Sequence, residues 1–194
     1  MIWQVAHRAD PRCVALADRH YSRQKIGTPQ FVPPGRCLVL YAKTEIGEAV
    51  WVTSWPFAQY VKHAWAGAWV CSMFRNEGAG LSSEMITEAV AATRFYYGDP
   101  PALGMITFVL PMAIRSTNPG YCYQVAGWRR AGAAKDGKPC FQILPESMPD
   151  PMPAHGMQAG LAFNASTALK PPLPHPDRET ISRPGGKSHG PPSP

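Results

Sequence analysis

No apolar run in this chain approaches the ~18–20 residues that a membrane-spanning helix needs. The opening Met1-Ile2-Trp3-Gln4-Val5-Ala6-His7-Arg8 also lacks the basic start and long apolar stretch of a signal peptide. Both absences point to a cytoplasmic protein. Metal-binding cysteine spacing is missing as well. The five cysteines, Cys13, Cys37, Cys71, Cys122 and Cys140, are odd in number and far apart, with no CxxC and no Cys/His ligand spacing. That speaks against a structural zinc and against a disulfide framework.

What is present is positive charge and, late in the chain, proline. The formal charge is +6 over 194 residues. Residues 145–194 balance Lys170, Arg178, Arg183 and Lys187 against Glu146, Asp150, Asp177 and Glu179, so the excess lies in the first 144 residues. A basic folded part suits a polyanion such as nucleic acid or a phosphate-rich cofactor, although a solvated basic surface gives the same count. Twelve of the 22 prolines fall in the last 50 residues, where apolar periodicity fades. Such a segment buries too little surface to offset chain entropy. The expected organisation is one domain over 1–145 and a disordered Pro/Gly-rich tail over 146–194.

Within 1–145 strands and helices alternate. Ile2 to His7 reads as a strand. Asp10-Pro11 opens a helix, with Asp as N-cap and Pro at the first helical position; Val14, Ala17 and Tyr21 would share its buried face and the helix would end near Arg23. Cys37–Tyr41 and Ala49–Thr53 read as a hairpin. Trp69–Phe74 is the next strand. Leu81–Tyr97 is a helix with the stripe Met85, Ile86, Ala89, Val90 and Thr93, stopped by Gly98-Asp99-Pro100-Pro101. Leu103–Val109 is a further strand, Asn118-Pro119 precedes a short helix that Gly127 ends, and Trp128–Ala131 pairs with Cys140–Leu144 around Asp136-Gly137. The fold class is α/β, a mixed, mostly antiparallel central sheet flanked by helices.

Between strand and helix lies Arg75-Asn76-Glu77-Gly78-Ala79-Gly80. Glycines let the backbone approach a ligand, and free N–H groups at a helix start point at an anion. This hexapeptide resembles the Arg/Gln-x-x-Gly-x-Gly/Ala loop of the GNAT acyltransferase superfamily, and Tyr123-Gln124-Val125-Ala126-Gly127-Trp128 resembles that family's Tyr-x-x-x-Gly-Phe ending, with Trp for Phe. The likeness covers roughly residues 68–130. It implies a GNAT-like domain with acetyl-CoA as donor. Its pyrophosphate would be held by Arg75, Asn76, Gly78, Ala79, Gly80 and Ser82, beside Met73 and Phe74 at the strand end, and Tyr123 would be the acid that protonates the departing thiolate.

A narrower likeness lies earlier. His20-Tyr21-Ser22-Arg23 with the Gly/Pro-rich Thr28-Pro29-Gln30-Phe31-Val32-Pro33-Pro34-Gly35 looks like the phage Mom proteins, which share a GNAT-like fold. That resemblance implies modification of the exocyclic N6 of adenine in DNA with a carbamoylmethyl-type group, protecting the DNA from restriction. His20 and Tyr21 become candidate catalytic residues, with Tyr21 facing the core and His20 at the rim. Arg19, Arg23 and Lys25 are candidate phosphate contacts, and Trp55 and Trp65 candidates for stacking an extruded base. In one respect the chain departs from the pattern: Leu110 stands near the strand end where an acid is expected. The N6 lone pair is delocalised into the ring, so a simple base is not enough; extrusion with a strong electrostatic site is required, or a metal such as iron at His20. Two other readings of the residues stay open: a GNAT N-acetyltransferase acting on a small-molecule or protein amine, and a non-catalytic nucleic-acid-binding module of the same fold.

Overall fold

The computed structural model describes residues 1–157. Strands are β1 (Gln4–Ala6), β2 (Arg36–Lys43), β3 (Glu48–Trp55), β4 (Trp69–Glu77), β5 (Met105–Phe108), β6 (Arg129–Ala133) and β7 (Pro139–Ile143). Helices are α1 (Pro11–Asp18), α2 (Ser82–Tyr97) and α3 (Tyr121–Val125). The strands form one sheet of order β1-β2-β3-β4-β5-β7-β6. Only β4 and β5 are parallel; every other neighbouring pair is antiparallel. The mixed, mostly antiparallel sheet expected from the sequence is present.

Each sheet face has its own core. On one face α2 buries Met85, Ile86, Ala89 and Val90 against Trp51, Trp69 and Leu40. On the other, α1 buries Cys13, Leu16 and Ala17 against Val39, Val50 and Val52. Burying one such large apolar side chain contributes about 1.5–3 kcal/mol, so the two helices are fixed by their apolar stripes. Asp10 caps α1 by accepting from the Arg12 N–H at 3.0 Å, and Pro11 follows it.

Helix α1 ends a turn earlier than its periodicity suggests, and its buried face is Cys13, Leu16 and Ala17, not Val14, Ala17 and Tyr21. The cause is Asp18. Its carboxylate accepts from Arg23 Nε at 2.6 Å and from the Gly27 N–H at 3.0 Å, which draws the next residues into a loop.

Strand β4 has two irregularities. Opposite Val52 and Thr53 the partners are Met73 and Cys71, so Ser72 is an extra, bulged residue. The bulge sends Cys71 into the α2-side core and Met73 into the α1-side core. The pairing of β4 with β5 ends at Cys71↔Thr107, yet β4 runs on to Glu77. Beyond Cys71 the two parallel strands therefore part.

The fold continues beyond residue 145, contrary to the expected tail boundary. Met148 and Ala154 are 7% and 3% exposed. Arg94 donates to the Pro149 carbonyl at 2.5 Å, and His155 exchanges backbone hydrogen bonds with the β1 edge, to Trp3 O at 2.9 Å and from Val5 N at 3.0 Å. A proline-rich segment needs no periodicity to dock when its backbone meets an open strand edge. The rest of the expected disordered tail, 158–194, lies outside the described residues.

Candidate active site where two parallel strands part

A cleft of 510 Å³ opens where β4 and β5 diverge. Phe74, Arg75 and Asn76 of β4 form one wall, Val109 and Ile114 another, and α3 contributes Tyr121, Cys122 and Tyr123. His20 and Tyr21 close it from the α1 side. Among the described residues no carboxylate lines it, and Leu110 lies just past the end of β5.

Their relative burial reverses the sequence expectation: His20 is 8% exposed and Tyr21 38%. Because α1 stops at Asp18, helical spacing no longer governs these two side chains. Their rings are in contact, tilted by 31° with centroids 4.2 Å apart. The Tyr21 hydroxyl donates to the Phe108 carbonyl at 3.1 Å, tying the α1 side to the end of β5. His20 Nδ1 accepts from the Ser22 N–H at 3.2 Å and stands 2.7 Å from Ser22 Oγ, so the ring proton belongs on Nε2. Burial, reinforced by the charge of Arg75, lowers the His20 pKa to about 4, leaving the ring neutral at neutral pH.

Tyr123 is 7% exposed, between Phe74, Trp128 and Phe141. Its hydroxyl meets Cys71 Sγ at 3.6 Å. Burial raises its pKa well above the ordinary phenol value, so it stays protonated at neutral pH. Burial likewise pushes the Tyr21 hydroxyl up to about 12.

A second cleft, 640 Å³, lies on the other side of residues 20–23. Ser22, Arg23, Lys25, Phe31, Pro34 and Met73 are among its walls. Two chain segments are thus shared: His20 and Tyr21 line the first cleft and Ser22 and Arg23 the second, while β4 gives Phe74 to Asn76 to the first and Ser72 and Met73 to the second. The bulge at Ser72 lets one strand serve both.

Several expected ligand contacts are already engaged inside the protein. Asn76 Oδ1 accepts from the N–H groups of Gly78 at 3.1 Å and Ala79 at 2.9 Å, and its Nδ2 donates to Gly80 O at 2.8 Å and Ser82 Oγ at 3.0 Å. Ala79 is core, 4% exposed. Gly78 needs to be glycine, at φ 90°, whereas a Cβ on Gly80 would make only ordinary contacts with Met85 and Ile2. Arg75 bonds Glu77 at 2.5 Å and the Arg19 carbonyl at 2.6 Å, and Arg19 forks onto the same Glu77 at 2.8 and 2.6 Å. Neither guanidinium is held free for a phosphate.

Arg23 is a correction of the same kind. Its side chain, 4% exposed, donates to Asp18, to the Gln30 carbonyl at 2.6 Å and to the Thr28 carbonyl. It clamps the 23–30 loop instead of facing a polyanion. Lys25 is exposed and forms no ion pair among the described residues. Trp55 packs edge-on to Trp69 at 5.8 Å on the α2 face, so it belongs to the core periphery rather than to either cleft. Trp65 lies over Gly132 and edge-on to Phe108 at 6.0 Å. Among the described residues no group of three or more His, Cys, Asp or Glu could hold a metal, so the iron linked to His20 gains no ligand set. Nor, among them, is any helix long and apolar enough to cross a membrane.

Sequence reasoning missed Ser22 and Glu77. Glu77 had a readable signal, since alternation along a strand puts Arg75 and Glu77 on one face. Ser22 had none, because its contact with His20 arises only after α1 has ended. Comparison with protein-family models, with curated proteins and with solved structures finds no match to this chain.

Proposed function

We propose that the protein is a GNAT-type transferase of the Mom kind, using acetyl-CoA as donor in the cleft between β4 and β5 and modifying the exocyclic N6 of adenine in DNA through the second cleft. One observation carries the reading: two cavities share the partition that bears His20, Tyr21 and Ser22. A transferase needs its donor and acceptor brought within reacting distance of each other, and the two cavities abut at these residues. Tyr123 lines the donor cleft with its proton in place, where an acid to a leaving thiolate would stand, although the burial that raises its pKa also weakens it as an acid.

On the acceptor side, Ser22 lines the second cleft and its hydroxyl is 2.7 Å from His20 Nδ1. A ring of pKa about 4 is too weak a base to activate an aromatic amine beforehand. Once N6 has attacked and carries positive charge it becomes strongly acidic, and Ser22 can then pass its proton to His20. Donor phosphates meet less of the glycine loop than its sequence suggests, because Asn76 holds the Gly78 and Ala79 N–H groups. The N–H groups of Ser82, Ser83 and Glu84 precede the helical ladder of α2 and are the donors left for a pyrophosphate. The charge of +6 suits a DNA acceptor.

The test is mass analysis of nucleosides from DNA incubated with protein and acetyl-CoA. Adenine heavier by one acetyl group is expected, because acetyl-CoA alone supplies no nitrogen for a carbamoylmethyl group; that product would require a further nitrogen-bearing co-substrate in the reaction. Unmodified DNA together with turnover of simple amines would instead mean an ordinary N-acetyltransferase.

A further inference from the structure

Away from both clefts, β1 and β2 separate at one end. Their pairing stops at Ala6↔Val39, while β2 extends back to Arg36. The gap is a notch of 330 Å³ whose lining includes His7, Arg8, Gly35, Arg36 and Tyr96. Among the described residues that line it, three side chains are basic and none is acidic. The nearest acid along the chain, Asp10, has its oxygens on Arg12 at 3.0 and 2.7 Å.

Arg36 is the unusual member. Its guanidinium packs against the rings of Tyr97, Trp55 and Tyr96, with centroids at 4.5, 5.3 and 5.9 Å. It forms no ion pair with any described residue, and its Nη2 is buried without a hydrogen-bond partner. A guanidinium fixed by aromatic stacking keeps its plane and its charge, and its unengaged N–H donors match the oxygens of a phosphate. Arg8 is anchored by one contact to the Pro33 carbonyl at 3.4 Å, which leaves its other donors available. His7 Nδ1 accepts from the Ala9 N–H at 3.2 Å, so its ring proton is on Nε2.

We propose that this notch binds a backbone phosphodiester of the nucleic acid whose base enters the second cleft. This site rests on the DNA reading and adds to it a phosphate subsite. The link between the openings is one stretch of chain. Pro33 and Pro34 line the second cleft, Gly35 and Arg36 line the notch, and Arg8 of the notch holds the Pro33 carbonyl. A strand that inserts a base on one side of this stretch carries its backbone across to the other. An extruded base needs such a fixed phosphate beside it, since phosphate contacts set register.

The experiment is an amide NMR titration of the full chain with a short oligodeoxyadenylate, and separately with inorganic phosphate. The oligonucleotide is expected to shift the amides of His7, Arg8, Gly35 and Arg36 at concentrations far below those that inorganic phosphate needs. Arg8→Gln, which leaves the Arg36 stack intact, is expected to reduce the slope of log affinity against log salt by about 0.7, one single-strand phosphate contact. If the oligonucleotide moves Lys25 and Phe31 but not these four, the notch is wrong and the DNA reading stands. If it moves nothing, both fall. Equal response to inorganic phosphate overturns the nucleic-acid assignment of the notch, as does an unchanged salt slope in Arg8→Gln.

Discussion

Residues 76–82 and residues 18–30 both turn the chain after a regular element, and each turn is held by one polar side chain bonded to backbone. In the first, Asn76 joins Gly78, Ala79, Gly80 and Ser82. In the second, Arg23 joins Asp18, Thr28 and Gln30. The outcomes differ. Asn76 occupies the N–H groups that make the glycine loop look like a phosphate cradle. Arg23 is itself fully bonded, yet its clamp leaves Ser22 and Lys25 facing a cavity and His20 at the partition. A motif signals chemistry through groups left unsatisfied, and those depend on which neighbours reach them first.

The largest expected effect separates the two sides of the partition. On the proposed donor side, Tyr123→Phe removes the proposed acid while its ring keeps packing against Trp128 and Phe141. Turnover of acetyl-CoA is expected to fall by about 10²–10⁴. The melting temperature should barely move, because the lost hydroxyl contact is a 3.6 Å approach to a thiol. Unchanged turnover would mean that Tyr123 only fills the core. On the acceptor side, Ser22→Ala should slow modification of DNA without weakening acetyl-CoA binding.

The clamp comes next. Arg23→Ala leaves Asp18 without its partner and opens three bonds to the loop, so a loss of about 3 kcal/mol is expected in urea unfolding. Lys25→Ala, two residues away and exposed, should leave stability unchanged and weaken only DNA binding. Equal losses for both would erase the distinction between clamp and contact.

Acid sharpens the comparison through His20. Its ordinary pKa of 6.5 falls to about 4 in the fold, because burial excludes the charged ring. Below pH 6.5 the unfolded chain takes up a proton that the folded chain refuses, so stability drops as pH falls from 6.5 towards 4 and the drop then levels off. At pH 5.5 the cost is about 1 kcal/mol, and His20→Gln should remove it. Glu77 acts lower: Arg19, then Arg75, hold its pKa at about 2 against an ordinary 4.5, so its contribution is complete above 4.5 and fades as pH falls towards 2. Denaturant titrations between pH 5 and 6.5 therefore exclude Glu77, and the difference between the native chain and His20→Gln separates His20 from His63, whose pKa burial also lowers.

Much of the fold was legible because local rules agree with it. The Asp10-Pro11 cap, the β2–β3 hairpin, the α2 stripe, the Gly98 stop and the turn at Asp136-Gly137 each follow from residues close in sequence. The candidate site was less legible. The end of α1 depends on Asp18 reaching Arg23 and Gly27, and with it goes the reversed burial of His20 and Tyr21. The docking of residues 146–157 depends on the free edge of β1, more than a hundred residues earlier. Glycine spacing gives the turn but cannot tell whether its N–H groups are open, since that was decided by the side chain of Asn76.

Asn76→Ala is the smallest and most discriminating change. It deletes two acceptor contacts at 3.1 and 2.9 Å and two donor contacts at 2.8 and 3.0 Å, all on an exposed or half-buried turn. Loss of a comparable helix-end cap costs about 1 kcal/mol, and thermal unfolding should show that much. In the proposed arrangement Asn76 shapes the approach to α2 and the pyrophosphate meets the N–H groups of Ser82 to Glu84. Acetyl-CoA affinity should then fall by about fivefold, the binding equivalent of the lost cap. Tighter binding would point the other way. The freed N–H groups of Gly78 and Ala79 would then be the true phosphate donors, and the Asn76 carboxamide oxygen would occupy the phosphate's place in the free protein.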